Sequence, residues 1–366
     1  MITIEARNVN DALWAGGSML RQMGVQRDSR NGPVLVAPAP VSTVYMNPTE
    51  RVMLHPGRDA NPFFHLVEAL WMLAGRNDLA TLTEFVKNMA NFSDDGGKTQ
   101  PGAYGFRWRH QFDYRKGKDL DQLAWAIKRL KADPDDRRVV IQMWDPAADA
   151  YAADNGGKDV PCNLIALPSI GTDGRLNLTV YNRSNDMVWG AYGANAVHFS
   201  VLQEYLAAMV GVPVGCYWQV ANNFHGYLAT LGKAGAEWPW GQSGLVGSSG
   251  QFLPDPYGSG AVKPMPMFGD GLTQEEVLDD IEMFLREPAR DDIRSAFLRQ
   301  VACPMVMAHR AYKRWGGLDG VSSAREVLEQ MPADNDWRAG ATLWLNNREA
   351  KLTRETDDGV THEDQV

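Results

Sequence analysis

Cysteine is scarce, with three in 366 residues, at positions 162, 216 and 303. That is too few for a disulfide framework, and no two form the CxxC spacing of a metal site. A reducing compartment is the simpler setting, and no metal is expected. Positive charge is in deficit: 36 Lys and Arg stand against 45 Asp and Glu, a net charge of −9. A chain with no general basic footprint is not expected to bind nucleic acid broadly, although clustered arginines can hold one phosphate. No apolar run approaches the ~20 residues of a membrane span. Residues 1–7 lack the basic-then-apolar form of a secretory signal. A cytoplasmic location is therefore expected. Internal repeats and long low-complexity tracts are also missing. What remains is an ordinary globular composition, 44% hydrophobic and 22% charged, long enough for a large core.

Periodicity and turn residues mark the elements. Residues 1–25 read as a strand and a short helix, and 27–33 as a polar turn. Pro38 and Pro40 split the apolar stretch that follows into short or edge strands. Asn61-Pro62 has the form of a helix start, ahead of Phe63, Leu66, Val67, Leu70 and Trp71 at helical spacing, with Gly75 as the stop. Residues 77–89 are expected as a further helix. Leu120, Leu123, Ile127 and Leu130 mark an amphipathic one, and 139–144 a strand. Pro161-Cys162-Asn163 opens a hairpin whose second strand ends in Asn182-Arg183-Ser184-Asn185-Asp186. A glycine-rich link, 190–195, leads into a helix over 196–210. Residues 217–220 form a strand, and an extended 222–227 puts His225 and Tyr227 on one face. Residues 239–271 are rich in Gly, Pro and Ser and read as a loop. Thr273 and Glu276 make a capping box before the terminal helices. Strands in the first two thirds and helices at the end imply an α+β fold. The expected division is a catalytic domain over 1–238, a loop over 239–271 and a helical C-terminal extension over 272–366.

The chemistry-bearing residues each admit two readings. A lone cysteine is most often a small buried hydrophobe. Cys162 becomes a nucleophile if a cation lowers its thiol pKa, and Arg183 across the hairpin is placed to do so. Glu68 lies inside an apolar helix, where a carboxylate is costly unless it reaches a cleft or a partner. Arg30, Arg137, Arg138 and Arg183 sit at turns, as solvated charges or as forked phosphate ligands, with Ser184 adding a hydroxyl. Asn195 either caps the helix that follows or reads a pyrimidine amide edge. His225 is either a satisfied structural histidine or a ribose contact.

Together these residues resemble the thymidylate synthase and pyrimidine hydroxymethylase family over about residues 29–228. Pro161-Cys162 is similar to the family's nucleophile motif. Asn182-Arg183-Ser184-Asn185-Asp186 resembles its Gln-Arg-Ser-x-Asp phosphate motif. Glu68-Ala69-Leu70-Trp71 looks like the helix that carries the catalytic glutamate, Tyr104-Gly105 like the tyrosine beside the nucleophile, and His225-Gly226-Tyr227 like the His-x-Tyr pair at the deoxyribose. Arg30 falls on the mobile-loop arginine. Arg137 and Arg138 fall on the pair that crosses a homodimer to the other protomer's phosphate.

The resemblance implies a twisted mixed sheet flanked by helices, to which the pattern of the last third adds a helical C-terminal appendage. It implies covalent catalysis by Cys162 at C6 of a pyrimidine deoxynucleoside monophosphate, with 5,10-methylenetetrahydrofolate as the co-substrate. Cys162, Glu68, Tyr104 and Asp186 would be catalytic. Asp186 and Trp71 would hold the folate. Arg30, Arg137, Arg138, Arg183, Ser184, Asn195, His225 and Tyr227 would hold the nucleotide. Three departures favour hydroxymethylation over methylation. Residues 88–95 lack the family's tryptophans, which would shield the reacting carbon from water. Asn163 replaces the histidine after the nucleophile. Residues 239–366 have no counterpart of the synthase's C-terminal lid. Asn195 lies where cytosine enzymes carry aspartate, so uracil, as dUMP, is the expected base. A dCMP hydroxymethylase, a synthase, or a nucleotide- or RNA-binding member without turnover are the alternatives. A bacteriophage making modified DNA, working in its host's cytoplasm, would suit such an enzyme.

Overall fold

The computed structural model describes residues 1–115, 117–233 and 255–357. The first part of the Gly/Pro-rich loop, 239–254, and the tail after 357 lie outside the described residues. The strands are β1 (Ile2–Ala6), β2 (Val25–Arg27), β3 (Val34–Val36), β4 (Val41–Tyr45), β5 (Asp113–Arg115), β6 (Lys118–Asp119), β7 (Ile141–Gln142), β8 (Asn163–Ile170), β9 (Leu176–Asn182), β10 (Asn185–Asp186), β11 (Val214–Ala221) and β12 (Phe224–Tyr227). The helices are α1 (Val9–Met23), α2 (Pro62–Leu73), α3 (Ala80–Phe85), α4 (Tyr104–Arg109), α5 (Gln122–Ala132), α6 (Pro146–Asp154), α7 (Asn195–Val210), α8 (Leu228–Lys233), α9 (Gln274–Arg286), α10 (Cys303–Trp315), α11 (Gly317–Leu328) and α12 (Asp336–Asp357).

A six-stranded mixed sheet runs in the order β1-β4-β11-β9-β8-β7. Its β1–β4 and β11–β9 pairs are parallel, and the rest are antiparallel. A second sheet, β10-β12-β3-β2, lines up Asp186 beside His225. The fold is thus α and β with a mixed sheet, as expected. The turn at Asp173 and Gly174 closes the β8–β9 hairpin, where Gly174 has φ 76. Asn163 pairs with Asn182 at the far end, and Cys162 sits just beyond the ladder.

Local signals hold where they are chemical. The Asn61 side chain accepts from the Phe64 amide, with Pro62 at the first turn of α2. Thr273 and Glu276 form the reciprocal capping box of α9. Elsewhere the structure differs from expectation. α1 is fifteen residues, not short, because Val9, Ala12, Leu13 and Leu20 bury one face that outweighs its central glycines. Residues 77–89 are not one helix. Val86 is extended, at φ −138 and ψ 97, and separates α3 from a 3₁₀ stretch. β4 is internal rather than an edge. The strand expected over 139–144 shortens to β7. The glycine link is itself helical, a π-type stretch over Met187–Ala194 with non-helical angles at Tyr192 and Gly193.

α2 lies at the centre. Ten of its residues are buried, and it packs on α7, α3, α4, α9 and α12. The terminal helices share one continuous apolar core with the sheet, through residues such as Phe284, Phe297, Trp337 and Leu345. Two buried ion pairs tie distant segments. Arg107 grips Asp149 with two nitrogens at 2.7 Å, and Arg51 bonds Glu204, whose other oxygen accepts from the Met267 amide. No helix of the described residues is long and apolar enough to cross a membrane.

Candidate active site

α4 approaches α2 so closely that any side chain in place of Gly105 would strike the Met72 backbone. This approach sets Tyr104 beneath the end of β8. The Tyr104 hydroxyl oxygen accepts from the Cys162 amide at 3.1 Å and the Asn163 amide at 3.2 Å. Burial pushes the Tyr104 pKa well up, so the phenol keeps a proton to donate. Arg183 closes the other side. Its amide donates to the Cys162 carbonyl, and its guanidinium donates to the carbonyls of Pro161 and Val160, both at 2.8 Å. The expected effect of Arg183 on the thiol is present but outweighed. Burial pushes the Cys162 pKa up, Arg183 and Arg30 pull it down, and Asp159 adds to the rise. The thiol is the resting form, and the two arginines limit the cost of ionising it.

Glu68, buried in α2, shares a 2.8 Å hydrogen bond with His198 Nε2 of α7. This resolves why a carboxylate sits in an apolar helix: it has a partner 130 residues away. His198 was not among the expected site residues. Its signal was its place one helical turn after Asn195 on the same helix, facing α2. The other ring nitrogen, Nδ1, is buried without a partner among the described residues.

Asn195 does not cap α7. That helix already includes it, and the preceding Ala194 makes no side-chain cap. Its carboxamide instead lies in a buried chain of amides, all donating in one direction. Asn182 Nδ2 donates to Asn163 Oδ1. Asn163 Nδ2 donates to Asn195 Oδ1 at 3.2 Å, and Asn195 Nδ2 to Asn185 Oδ1 at 3.1 Å. Asn185 Nδ2 donates to Gln219 Oε1 at 3.1 Å, and Gln219 Nε2 to the Tyr217 hydroxyl at 2.8 Å. A side chain at Gly190 would collide with Asn185 Oδ1, so that glycine makes room for the pair. Each amide fixes its neighbour's orientation, because turning one round sets donor against donor and acceptor against acceptor. Asn195 keeps one lone pair and one N–H for a ligand.

A cavity of about 150 Å³ joins these groups. Glu68, Trp71, Tyr104, Asn195 and His198 line it, with Gln100 and Asp159 adding polar groups that sequence reasoning missed. Trp71 presents its ring but not its N–H, which donates to the Asp78 carbonyl at 3.0 Å. The tryptophan-free segment lies close by: Lys158, just before Asp159, donates to the Ser93 carbonyl and the Asp94 carboxylate.

Asp186 caps the π-type stretch, with Oδ1 accepting from the Val188 and Trp189 amides. Its Oδ2 is buried with no partner among the described residues, and burial raises its pKa. Such an oxygen suits a ligand with N–H donors, as the pterin ring of a folate has, so the site fits a folate. His225 and Tyr227 share a face as expected, their rings edge to face at 5.5 Å. Ser184 is half-buried and Arg30 exposed. Among the described residues neither Arg137 nor Arg138 lines the cavity. Both are exposed, and Arg138 pairs with the buried Asp136 at 2.7 Å.

The family profile described as thymidylate synthase matches residues 44–237. The deoxyuridylate hydroxymethyltransferase of Pseudomonas phage M6 is 46% identical over 367 residues, covering 99% of this chain and 100% of that protein. The enzyme of the same name from Bacillus phage SP01 is 42% identical over 53% of this chain and 50% of its own length. The thymidylate synthase of Symbiobacterium thermophilum is 34% identical over 46% of this chain and 61% of its own length. The chain belongs to the thymidylate synthase family.

Proposed function

We propose that this protein hydroxymethylates C5 of dUMP, with 5,10-methylenetetrahydrofolate as one-carbon donor, giving 5-hydroxymethyl-dUMP and tetrahydrofolate. The likeness to the phage M6 enzyme carries this reading, because it runs through 99% of the chain, whereas the likeness to a synthase stops at 46%. Residues 1–238 form the catalytic unit and 272–366 a C-terminal extension, whose described helices, up to Asp357, are built against it. The enzyme works in the cytoplasm, that of a bacterial host if it is phage-encoded.

Cys162 Sγ adds to C6 of the uracil, which makes C5 nucleophilic. Arg30 and Arg183 favour the thiolate that this step needs. With Ser184 they bind the 5′-phosphate, and His225 and Tyr227 hold the deoxyribose. Asn195 donates Nδ2–H to O4 and accepts N3–H at Oδ1, the arrangement that suits uracil. Tyr104 orients the nucleophile's backbone and faces the reacting carbons with its retained proton. Asp186 and Trp71 hold the folate, which supplies the methylene when bound. Glu68 and His198 hold a proton beside C5 and orient the water that adds to the exocyclic methylene, in a cavity with polar groups enough to hold water. The protein acts as a homodimer, with Arg137 and Arg138 reaching the phosphate of the second protomer.

Product analysis tests the reaction. The protein is incubated with methylenetetrahydrofolate and dUMP or dCMP, and the nucleotide is weighed by mass spectrometry. A gain of CH2O on dUMP is expected. The same gain on dCMP alone refutes the assignment of Asn195, and a gain of CH2 with dihydrofolate makes the enzyme a synthase.

A further inference from the structure

Asp159 stands three residues before Cys162 and lines the cavity of about 150 Å³ with Glu68, Tyr104 and His198. None of the proposed binding or covalent steps uses it. Its place is fixed from several sides. Oδ2 accepts from the Gly102 amide at 2.9 Å, and a side chain at Gly102 would collide with that carboxylate. The preceding Lys158 is tied to segment 93–94, its amide donating to Asp94 Oδ1 at 3.2 Å and its Nζ to the Ser93 carbonyl at 2.8 Å. On the following side, Arg183 holds the carbonyls of Val160 and Pro161, both at 2.8 Å. A carboxylate anchored through the backbone on both flanks is in position before any substrate arrives.

Its charge works against the nucleophile. Burial raises the pKa of Cys162 and of Tyr104, and the Asp159 carboxylate pushes both further up. A negative charge here hinders formation of the thiolate, so its use lies at another step. Burial also pushes up the pKa of Asp159 itself, with Asp94 adding to the rise, against the Gly102 amide, Gln100 and Arg107. A carboxylate raised in this way takes up a proton more readily than one in water, which is what a general base needs. The cavity beside it has room for more than one water, and Gln100, Tyr104 and His198 offer such waters partners.

We infer that Asp159 is the catalytic base of the hydration step, taking the proton of the water that adds to the exocyclic methylene. This rests on the dUMP hydroxymethylation proposed above. The water oxygen bonds to the methylene carbon. The electron pair of the exocyclic double bond moves into the ring, forms C5=C6 and expels Cys162 Sγ with the pair of the C6–S bond. The water's proton passes to Asp159 and from there to the departing thiolate, so nothing is oxidised or reduced. Glu68 and His198 orient the water, and Asp159 receives its proton. Once protonated, Asp159 no longer repels the thiolate that leaves.

Isotope exchange tests this on the full-length chain without folate. In heavy-oxygen water, Cys162 adds to 5-hydroxymethyl-dUMP, the hydroxyl leaves and labelled water returns, so the wild type is expected to place the label in the nucleotide. In heavy water, addition of Cys162 to dUMP alone exchanges the C5 hydrogen, which reads the nucleophile without hydration. Both are followed by mass spectrometry. Asp159→Asn should slow the oxygen exchange by about 100-fold and leave the C5 exchange in place. If that variant is destabilised, as a lowered Tm would report, Asp159→Ala should regain oxygen exchange when formate supplies a free carboxylate. Unchanged oxygen exchange in Asp159→Asn overturns the inference, as does an equal loss of both exchanges in the folded variant, or no gain with formate. A wild type that exchanges the C5 hydrogen of dUMP but not the oxygen of 5-hydroxymethyl-dUMP refutes the proposed reaction, and the base with it.

Discussion

An asparagine offers the same two atoms to uracil and to cytosine; only its orientation tells them apart. In this protein that orientation is set by neighbours. Asn195 receives a hydrogen bond from Asn163 and gives one to Asn185. Asn185 and Gln219 can turn with it, but Asn163 then sets donor against donor in a buried site. At ~1–3 kcal/mol for that one buried unsatisfied bond, the wrong orientation is disfavoured by about fivefold or more. Asn163→Asp should reverse it without touching Asn195, the residue proposed to meet the base. The introduced carboxylate still accepts from Asn182, but it cannot donate to Asn195 while ionised. Asn195 would then turn its Nδ2 toward position 163. Asn185 and Gln219 can follow, because the chain ends on a Tyr217 hydroxyl that donates as readily as it accepts. The ratio of kcat/KM for dUMP over dCMP, read by product mass, should fall by about fivefold or more. Lowering the pH should restore part of the uracil preference, because a protonated carboxyl at position 163 can again donate to Asn195. An unchanged ratio in a folded, active variant refutes the claim that the amide chain orients Asn195.

Other outcomes follow from the same geometry. Arg183 and Arg30 pull the Cys162 pKa down against burial, so Arg30→Ala should shift the rising alkaline limb of the kcat/KM–pH profile to higher pH. A limb that stays in place or moves down contradicts that electrostatic role. Asp336, at the start of α12, is buried against Tyr257, and burial pushes its pKa up to about 7. A folded-state pKa above the unfolded value makes a contribution that is complete below about pH 4 and lost as pH rises through about 7. The Tm should therefore fall between about pH 4 and 7, and Asp336→Asn should flatten that fall. If Arg137 serves the second protomer, an inactive Arg137→Ala chain mixed with an inactive Cys162→Ala chain should regain activity in mixed dimers. Subunit exchange without rescue would place each site within one chain.

The sequence by itself determined what is local. Asn61 ahead of Pro62 starts α2, Thr273 with Glu276 starts α9, and Asp173-Gly174 turns the hairpin, each through bonds reaching no more than three or four residues. The side-chain types of the candidate site and their order along the chain were also legible, because the proposed covalent chemistry at a pyrimidine needs a thiol, an amide and cations. Tertiary structure decided the rest. Glu68 acquired its meaning from His198, Tyr104 from the Cys162 amide 58 residues on, and Asp159 from the Gly102 amide, 57 residues before it. The net rise of the Cys162 pKa depends on burial, which no spacing reports. The length of α1 and the break at Val86 were likewise set by what each face packs against. An isolated carboxamide has no preferred direction, so the polarity of the chain through Asn195 exists only once β8, β9, β11 and α7 bring their amides together.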